Sequence, residues 1–251
     1  MSAVGFSCSA LAGTNKVGNL PCDANGYYTM VIGGLNISNS VGDYYSYDGC
    51  KDLFEGSSQF MRRISRGALR GEVGHPQQAP GQSMDDYISR ILEIRETNVC
   101  VHFSEIWLDF DKMKDRNGRA VVAIMSKLIP SGPFGPMLEK SLKNPKENVC
   151  FSIRSFTDDQ FKGGVKVRNI RNIVTFDNVL EPGISIANKW DAPTLESLSN
   201  NLITKTQIQR VVNRECNSKV ATENSKAQAM ELITSFGWEL PKGATAGFTR
   251  W

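Results

Sequence analysis

The stretch from Val99 to Leu128 limits the fold more than any other part of the chain. Val99, Val101, Phe103 and Trp107 fall on one face, with Glu105 as the exception. Cys100, His102, Ser104, Ile106 and Leu108 fall on the other. A period of two marks a β-strand, because successive side chains leave opposite faces. Asn117-Gly118 is the residue pair that a two-residue hairpin favours, and Ala120 to Leu128 supplies the returning strand. The chain is therefore built around an antiparallel hairpin.

Further elements agree with that start. Tyr27 to Ile37 reads as a strand interrupted by Gly33-Gly34, a bulge or close-approach signal. Lys51 to Gly67 reads as a helix, with Leu53, Phe54, Phe60, Met61 and Ile64 near helical spacing and Arg62, Arg63 and Arg66 as a solvated face. Tyr87, Ile88, Ile91 and Leu92 form a short periodic segment, and Met137 to Leu142 a short helix. Asn148 to Phe156 and Val165 to Val179 are strands, with Gly163-Gly164 as a turn between them. The predicted class is α+β: an antiparallel β-barrel or sheet core flanked by helices.

The two ends differ in composition from the middle. Residues 1–26 are rich in Gly, Ser, Ala and Asn and read as a flexible N-terminal arm. Residues 27–190 carry the folded domain. Residues 191–251 are rich in Ser, Asn, Thr, Gln and Ala. Leu195, Leu198 and Leu202, then Ile208, Val211 and Val212, mark weakly amphipathic helices in a C-terminal tail outside the core.

Several function classes lose support. A net charge of +3 argues for neither nucleic acid nor an anionic membrane as partner. The arginines Arg62, Arg63, Arg66 and Arg70 are too few to change that reading. No apolar run reaches the length of a membrane span. Met1 to Gly18 has neither the basic start nor the apolar centre of a signal peptide. Cys8, Cys22, Cys50, Cys100, Cys150 and Cys216 are widely spaced, which fits free thiols in a reducing compartment and not a zinc site. No phosphate-binding glycine loop and no GxSxG elbow occurs, and neither metal nor cofactor is expected.

Two residues invite chemistry. His75, one of two histidines, stands in Gly71-Glu72-Val73-Gly74-His75-Pro76. Pro76 fixes its own φ and pushes His75 toward extended geometry, while Gly74 allows a sharp turn. In the strand 148–156, Ser152 and Arg154 share one face with Cys150. A serine needs an adjacent base to act as a nucleophile, and His75 could be that base. Arg154, or backbone beside it, could hold an oxyanion. Local sequence equally allows an ordinary sheet serine beside a solvent-facing arginine.

A resemblance separates these readings. The chain resembles the prohead maturation proteases of tailed bacteriophages, serine proteases related in fold to the herpesvirus assemblins. Their pattern runs G-E-L-x-H-P, N-V-S-H-x-I-x-D-I-W, a Gly-bearing short helix, G-V-S-S-R-G, and D-x-V-x-x-P-S-x-x-x-A. Residues Gly71 to Pro76 match the first block, and Asn98 to Trp107 the second. Ser131 to Leu138 match the third, and Val149 to Arg154 the serine block. Asp177 to Gly183 followed by Ala187 match the last. Ile153 and Ser155 depart from the pattern, standing where the family has serine and glycine.

The resemblance implies a herpesvirus protease-like fold in which 27–190 is the protease domain. Ser152 would be the nucleophile, His75 the general base, and Arg154 part of the oxyanion region. It implies His102 as third member, one place off the family register. Asp177 and Glu105 are the alternatives. It further implies an endopeptidase that processes scaffold or inner-core proteins and the major capsid protein inside the prohead, made in the bacterial host cytoplasm. Neither membrane nor specific nucleic acid would be a partner, and a homo-oligomer is allowed. Giant phages of the phiKZ type process proheads after small-x-Glu triplets. Here such triplets end at Glu223, Glu231 and Glu239, which suggests a self-cleaved propeptide or scaffold-binding tail. A glutamate-selective pocket needs a cation facing the substrate. The competing reading is a non-catalytic capsid or tail-tube-like assembly protein of the same fold lineage.

Overall fold

The computed structural model describes residues 3–12, 20, 22–39, 42–111, 113–115, 118–180, 201–218 and 221–238. In chain order these form β1 (Ala3–Ala12), β2 (Tyr28–Leu35), β3 (Ile37–Ser38), β4 (Tyr44–Tyr45) and α1 (Gln59–Ser65). Then come β5 (Arg70–Glu72), α2 (Met84–Leu92), β6 (Val99–Asp109), β7 (Val122–Pro130) and α3 (Gly135–Lys143). The rest are β8 (Cys150–Lys162), β9 (Val165–Val179), β10 (Asn201–Thr204), α4 (Lys205–Asn217) and α5 (Glu223–Ser235).

The strands make two sheets. One has the order β10-β1-β8-β9-β4-β3 and the other β2-β7-β6-β5. Their pairing is antiparallel except for the short β4–β9 contact. The α+β class with antiparallel sheets and flanking helices therefore holds. The described strands form two open sheets and not a closed barrel.

The larger sheet is the middle layer. One of its faces meets the smaller sheet across a core that includes Ile32, Leu35, Phe103, Leu128, Phe151 and Phe176. Its other face carries Phe156 and Val174 under α2, α4 and α5, where Ile88, Ile91, Ile208, Val211, Leu232 and Ile233 are fully buried. A sheet covered on both sides loses polar–apolar alternation, which is why β8 is buried from Cys150 to Thr157.

Local signals account for most boundaries. The Gly33 bulge falls where expected, with the β2–β7 register shifting between Val31 and Gly33. The helix predicted over 51–67 divides. A 3-10 turn covers Lys51–Phe54, and α1 starts afresh after Ser58, whose hydroxyl accepts from the Met61 N–H. The arginine row on α1 is not uniformly solvated, because Arg63 donates to the carbonyls of Ile173 and Val174 on β9. Gly163 and Gly164 both take positive φ and close the β8–β9 hairpin. Asn117, Leu195 and Leu198 lie outside the described residues.

Both ends of the chain differ from expectation. The N-terminal arm contributes β1, paired with β8 from Gly5–Thr157 to Ala12–Cys150 and with β10 on its other side. The C-terminal third contributes β10, α4 and α5, and these help bury the second core. Backbone pairing and apolar burial thus tie both segments to the sheet that carries Ser152.

Candidate active site

The site forms where β5, β8, β9 and α2 meet. Gly71 lets β5 approach β9 closely: a Cβ there would lie 2.1 Å from the Phe176 carbonyl oxygen. Past this point Val73 bridges Asn178 in parallel fashion, the Gly74 N–H donates to Asn178 O at 2.7 Å, and the Val73 N–H donates to Asn98 O at 3.0 Å. Gly74 has φ +70°, a conformation that favours glycine, and turns the chain so that His75 follows. The Tyr87 hydroxyl on α2 donates to Pro76 O at 3.2 Å and holds the far side of the turn.

His75 Nδ1 lies 2.9 Å from Asp177 Oδ2. A carboxylate only accepts, so Nδ1 carries the proton and Nε2 is the basic nitrogen. Asp177 is fully buried on β9. Ser152 stands opposite it in the β8–β9 ladder, so the two side chains leave the same face with Cβ atoms about 5 Å apart. Ser152 is 1% exposed, and its hydroxyl has no hydrogen-bond partner among the described residues. One carboxylate therefore neighbours both the serine and the histidine.

Arg154 locks that carboxylate in place. Its Nε donates to Asp177 Oδ2 at 2.8 Å and its Nη2 to Asp177 Oδ1 at 2.6 Å. Nη2 also donates to Glu72 Oε2 at 2.8 Å, and Nη1 to the carbonyls of Ile91 and Glu93. Glu72, equally buried, accepts from Arg90 Nη2 at 2.6 Å and from the Arg95 N–H. Burial alone would raise the Asp177 carboxyl, but Arg154 and the bond from His75 outweigh it and hold Asp177 below the usual carboxylate range. Burial likewise works against the Arg154 charge, and Asp177 and Glu72 reverse the effect, so the guanidinium stays charged.

The sequence profile of the Peptidase S80 family matches residues 6–237. The chain belongs to the Peptidase S80 family. It is 36% identical over 251 residues to the capsid maturation protease of Pseudomonas phage phiKZ, covering 96% of this chain and 91% of that protein. Among solved structures it resembles the bacteriophage T4 capsid assembly protease, gp21, with a TM-score of 0.46 and 11% identity over 70% of this chain and 98% of that one.

In this S80 chain the sequence blocks singled out above converge. Block one pairs with block two through β5 and β6, and blocks four and five are the paired ends of β8 and β9. His75, Ser152, Asp177 and Arg154 come together. His102 does not join them: it lies on β6 opposite Arg70 and donates from Nε2 to Gly67 O at 3.1 Å. Burial, aided by Arg70, holds its ring below the usual histidine value against the bond to Gly67. The β6 pairing is irregular on both sides of His102, at Cys100 against β5 and at Ser104 against β7, and the ring nonetheless faces Gly67 and not Asp177. Glu105 pairs with Lys127 at 2.8 Å on the exposed side of the smaller sheet.

Arg154 departs from its expected oxyanion role. All five of its N–H donors are engaged by carboxylates and carbonyls, leaving none to aim at a substrate. Glu72 and Arg90 were not singled out by sequence reasoning. The signal available was Glu72 itself, an acidic residue fixed in the same short block as His75. Glu181, Pro182, Gly183, Ala187 and Glu239 lie outside the described residues. Glu223 opens α5, whereas Glu231 is buried in mid-helix and faces Arg63 at 3.7 Å.

Proposed function

We propose that this peptidase is a serine endopeptidase of phage capsid maturation, with Ser152 as nucleophile, His75 as general base and Asp177 as the orienting acid. The observation that carries the reading is the bond from His75 Nδ1 to an Asp177 carboxylate that stands opposite Ser152. Asp177 fixes the tautomer, so Nε2 takes the proton as Ser152 Oγ attacks the scissile carbonyl. The imidazolium that forms is stabilised by the Asp177 charge. It then protonates the leaving amine, and water resolves the acyl-enzyme by the same path in reverse. Because Arg154 is fully engaged, the oxyanion falls to backbone N–H groups.

The likeness to a capsid maturation protease supports scaffold or inner-core proteins and the major capsid protein as substrates, met inside the prohead of a phage assembled in the host cell. Self-cleavage after glutamate belongs to the same proposal. Of the two described candidate bonds, the one after Glu223 lies at the start of α5, beside the exposed Thr222. The one after Glu231 would require the helix to unwind first.

Intact masses of the wild type and Ser152→Ala test the reading. Processing of the C-terminal segment in the wild type alone is the expected result. Identical processing in both proteins would remove Ser152 from the mechanism.

A further inference from the structure

We propose, building on the Ser152–His75–Asp177 reading, that Glu72 is a positioning residue that acts through Arg154 on both the orientation of Asp177 and the charge felt by His75. Five side chains form a row of alternating charge: Arg90, Glu72, Arg154, Asp177 and His75. Glu72 is second in the row, between two guanidiniums, with its own N–H donating to Asp177 Oδ1 at 3.2 Å. Glu72 therefore grips the catalytic carboxylate twice, once by backbone and once through Arg154.

The bookkeeping of charge distinguishes this role from simple anchoring of α2. With His75 neutral, the row carries two positive and two negative charges. Losing the Glu72 charge leaves the row net positive, which disfavours an imidazolium. Losing the Arg90 charge leaves it net negative, which favours one. The other titratable groups nearby are Cys100 on β6, Tyr87 on α2 and the Glu93–Arg95 pair beside α2. Burial, followed by the Asp177 charge, pushes the Cys100 thiol up to about 12, so it stays neutral through the working range. The Arg95–Glu93 pair is internally compensated at 2.8 Å.

The test uses the full chain with Ser152→Ala, which is chemically inert under the proposed reading. The sequence holds only two histidines, so their ring resonances can be followed directly by NMR during a pH titration, with His102→Gln to assign them. Glu72→Gln is expected to lower the His75 midpoint by about 0.5 to 1 unit and Arg90→Gln to raise it by a similar amount. The His102 midpoint should stay in place. A His75 midpoint that moves in neither variant, or in the same direction in both, overturns the proposal. If Glu72→Gln does not fold, Arg90→Gln at the outer end of the row carries the test alone: an upward shift supports the proposal and its absence ends it.

Hydrolysis of fluorescein-labelled casein separates the two layers. If Ser152→Ala hydrolyses it as fast as the wild type, the catalytic reading fails. If Ser152→Ala is inactive and the His75 midpoint stays put in both row variants, only the role of Glu72 fails.

Discussion

Ser152 faces Asp177 directly across the β8–β9 ladder, and Asp177 accepts the Nδ1 proton of His75. A single pair of strands thus fixes the spacing of serine and acid, while the histidine arrives on a separate loop. Asp177→Asn should lower kcat by about 10² to 10⁴-fold, the scale seen when a triad acid loses its charge. His102→Gln removes only the bond to Gly67 O, which costs about 1 kcal/mol of stability. Steady-state hydrolysis of a labelled protein substrate and a urea titration of each variant check this contrast. Equal losses of kcat in both would return His102 to the site.

Gly71→Ala tests the close approach of β5 to β9. The added methyl would collide with backbone, the Phe176 carbonyl, which cannot swing aside as a side chain can. We expect a loss of about 1 to 3 kcal/mol or more, together with reduced activity, because the His75 turn hangs from the same crossing. Thermal unfolding followed with and without a covalent serine inhibitor reads both effects.

Two buried acids should give opposite pH dependences. Asp177 is held below its unfolded value of about 3.9, so its contribution is complete above that pH and is lost as pH falls toward the folded value. The stability gap between wild type and Asp177→Asn should therefore close on acidification. Glu231 is raised by burial despite Arg63, so the wild type should lose stability relative to Glu231→Gln as pH rises above about 4.3. Urea midpoints measured between acid and neutral pH decide each sign.

Ending the chain at Asn200 should abolish stable folding. Ile203, Ile208, Val211, Val212, Leu232 and Ile233 are fully buried, and each contributes about 1.5 to 3 kcal/mol on burial. That sum is comparable to the whole stability of a typical domain. Gel filtration and circular dichroism of the truncated chain provide the check. A monodisperse, cooperatively melting product would show that α4 and α5 are dispensable.

The hairpin between Val99 and Pro130 is legible in the sequence because a period of two survives wherever one face differs from the other. The proposed pairing of Ser152 with His75 is suggested in the sequence only through the blocks that carry them. What alternation cannot convey is the identity of a partner on a distant strand. Arg154 reads as a surface arginine, yet its neighbours Glu72 and Asp177 arrive from positions 82 and 23 residues away. The C-terminal helices are legible as weakly amphipathic segments, but their packing on the sheet is not, for a related reason. A helix lying on a sheet needs only a narrow apolar stripe, such as Ile208, Val211 and Val212, and the rest of its surface is polar.

The adjacency of β1 and β10 has a consequence for how the chain comes into being. Ala3 pairs with Thr204, so the outer edge of β1 waits for its neighbour until about 200 residues have followed it out of the ribosome. Contacts that close so long a loop form late, whereas the β8–β9 hairpin can form as soon as its own residues are made. The sheet behind the serine is thus completed only when Asn201–Thr204 have been made, well after β8 and β9. A nascent protease carries its own delay, written into the order of its strands.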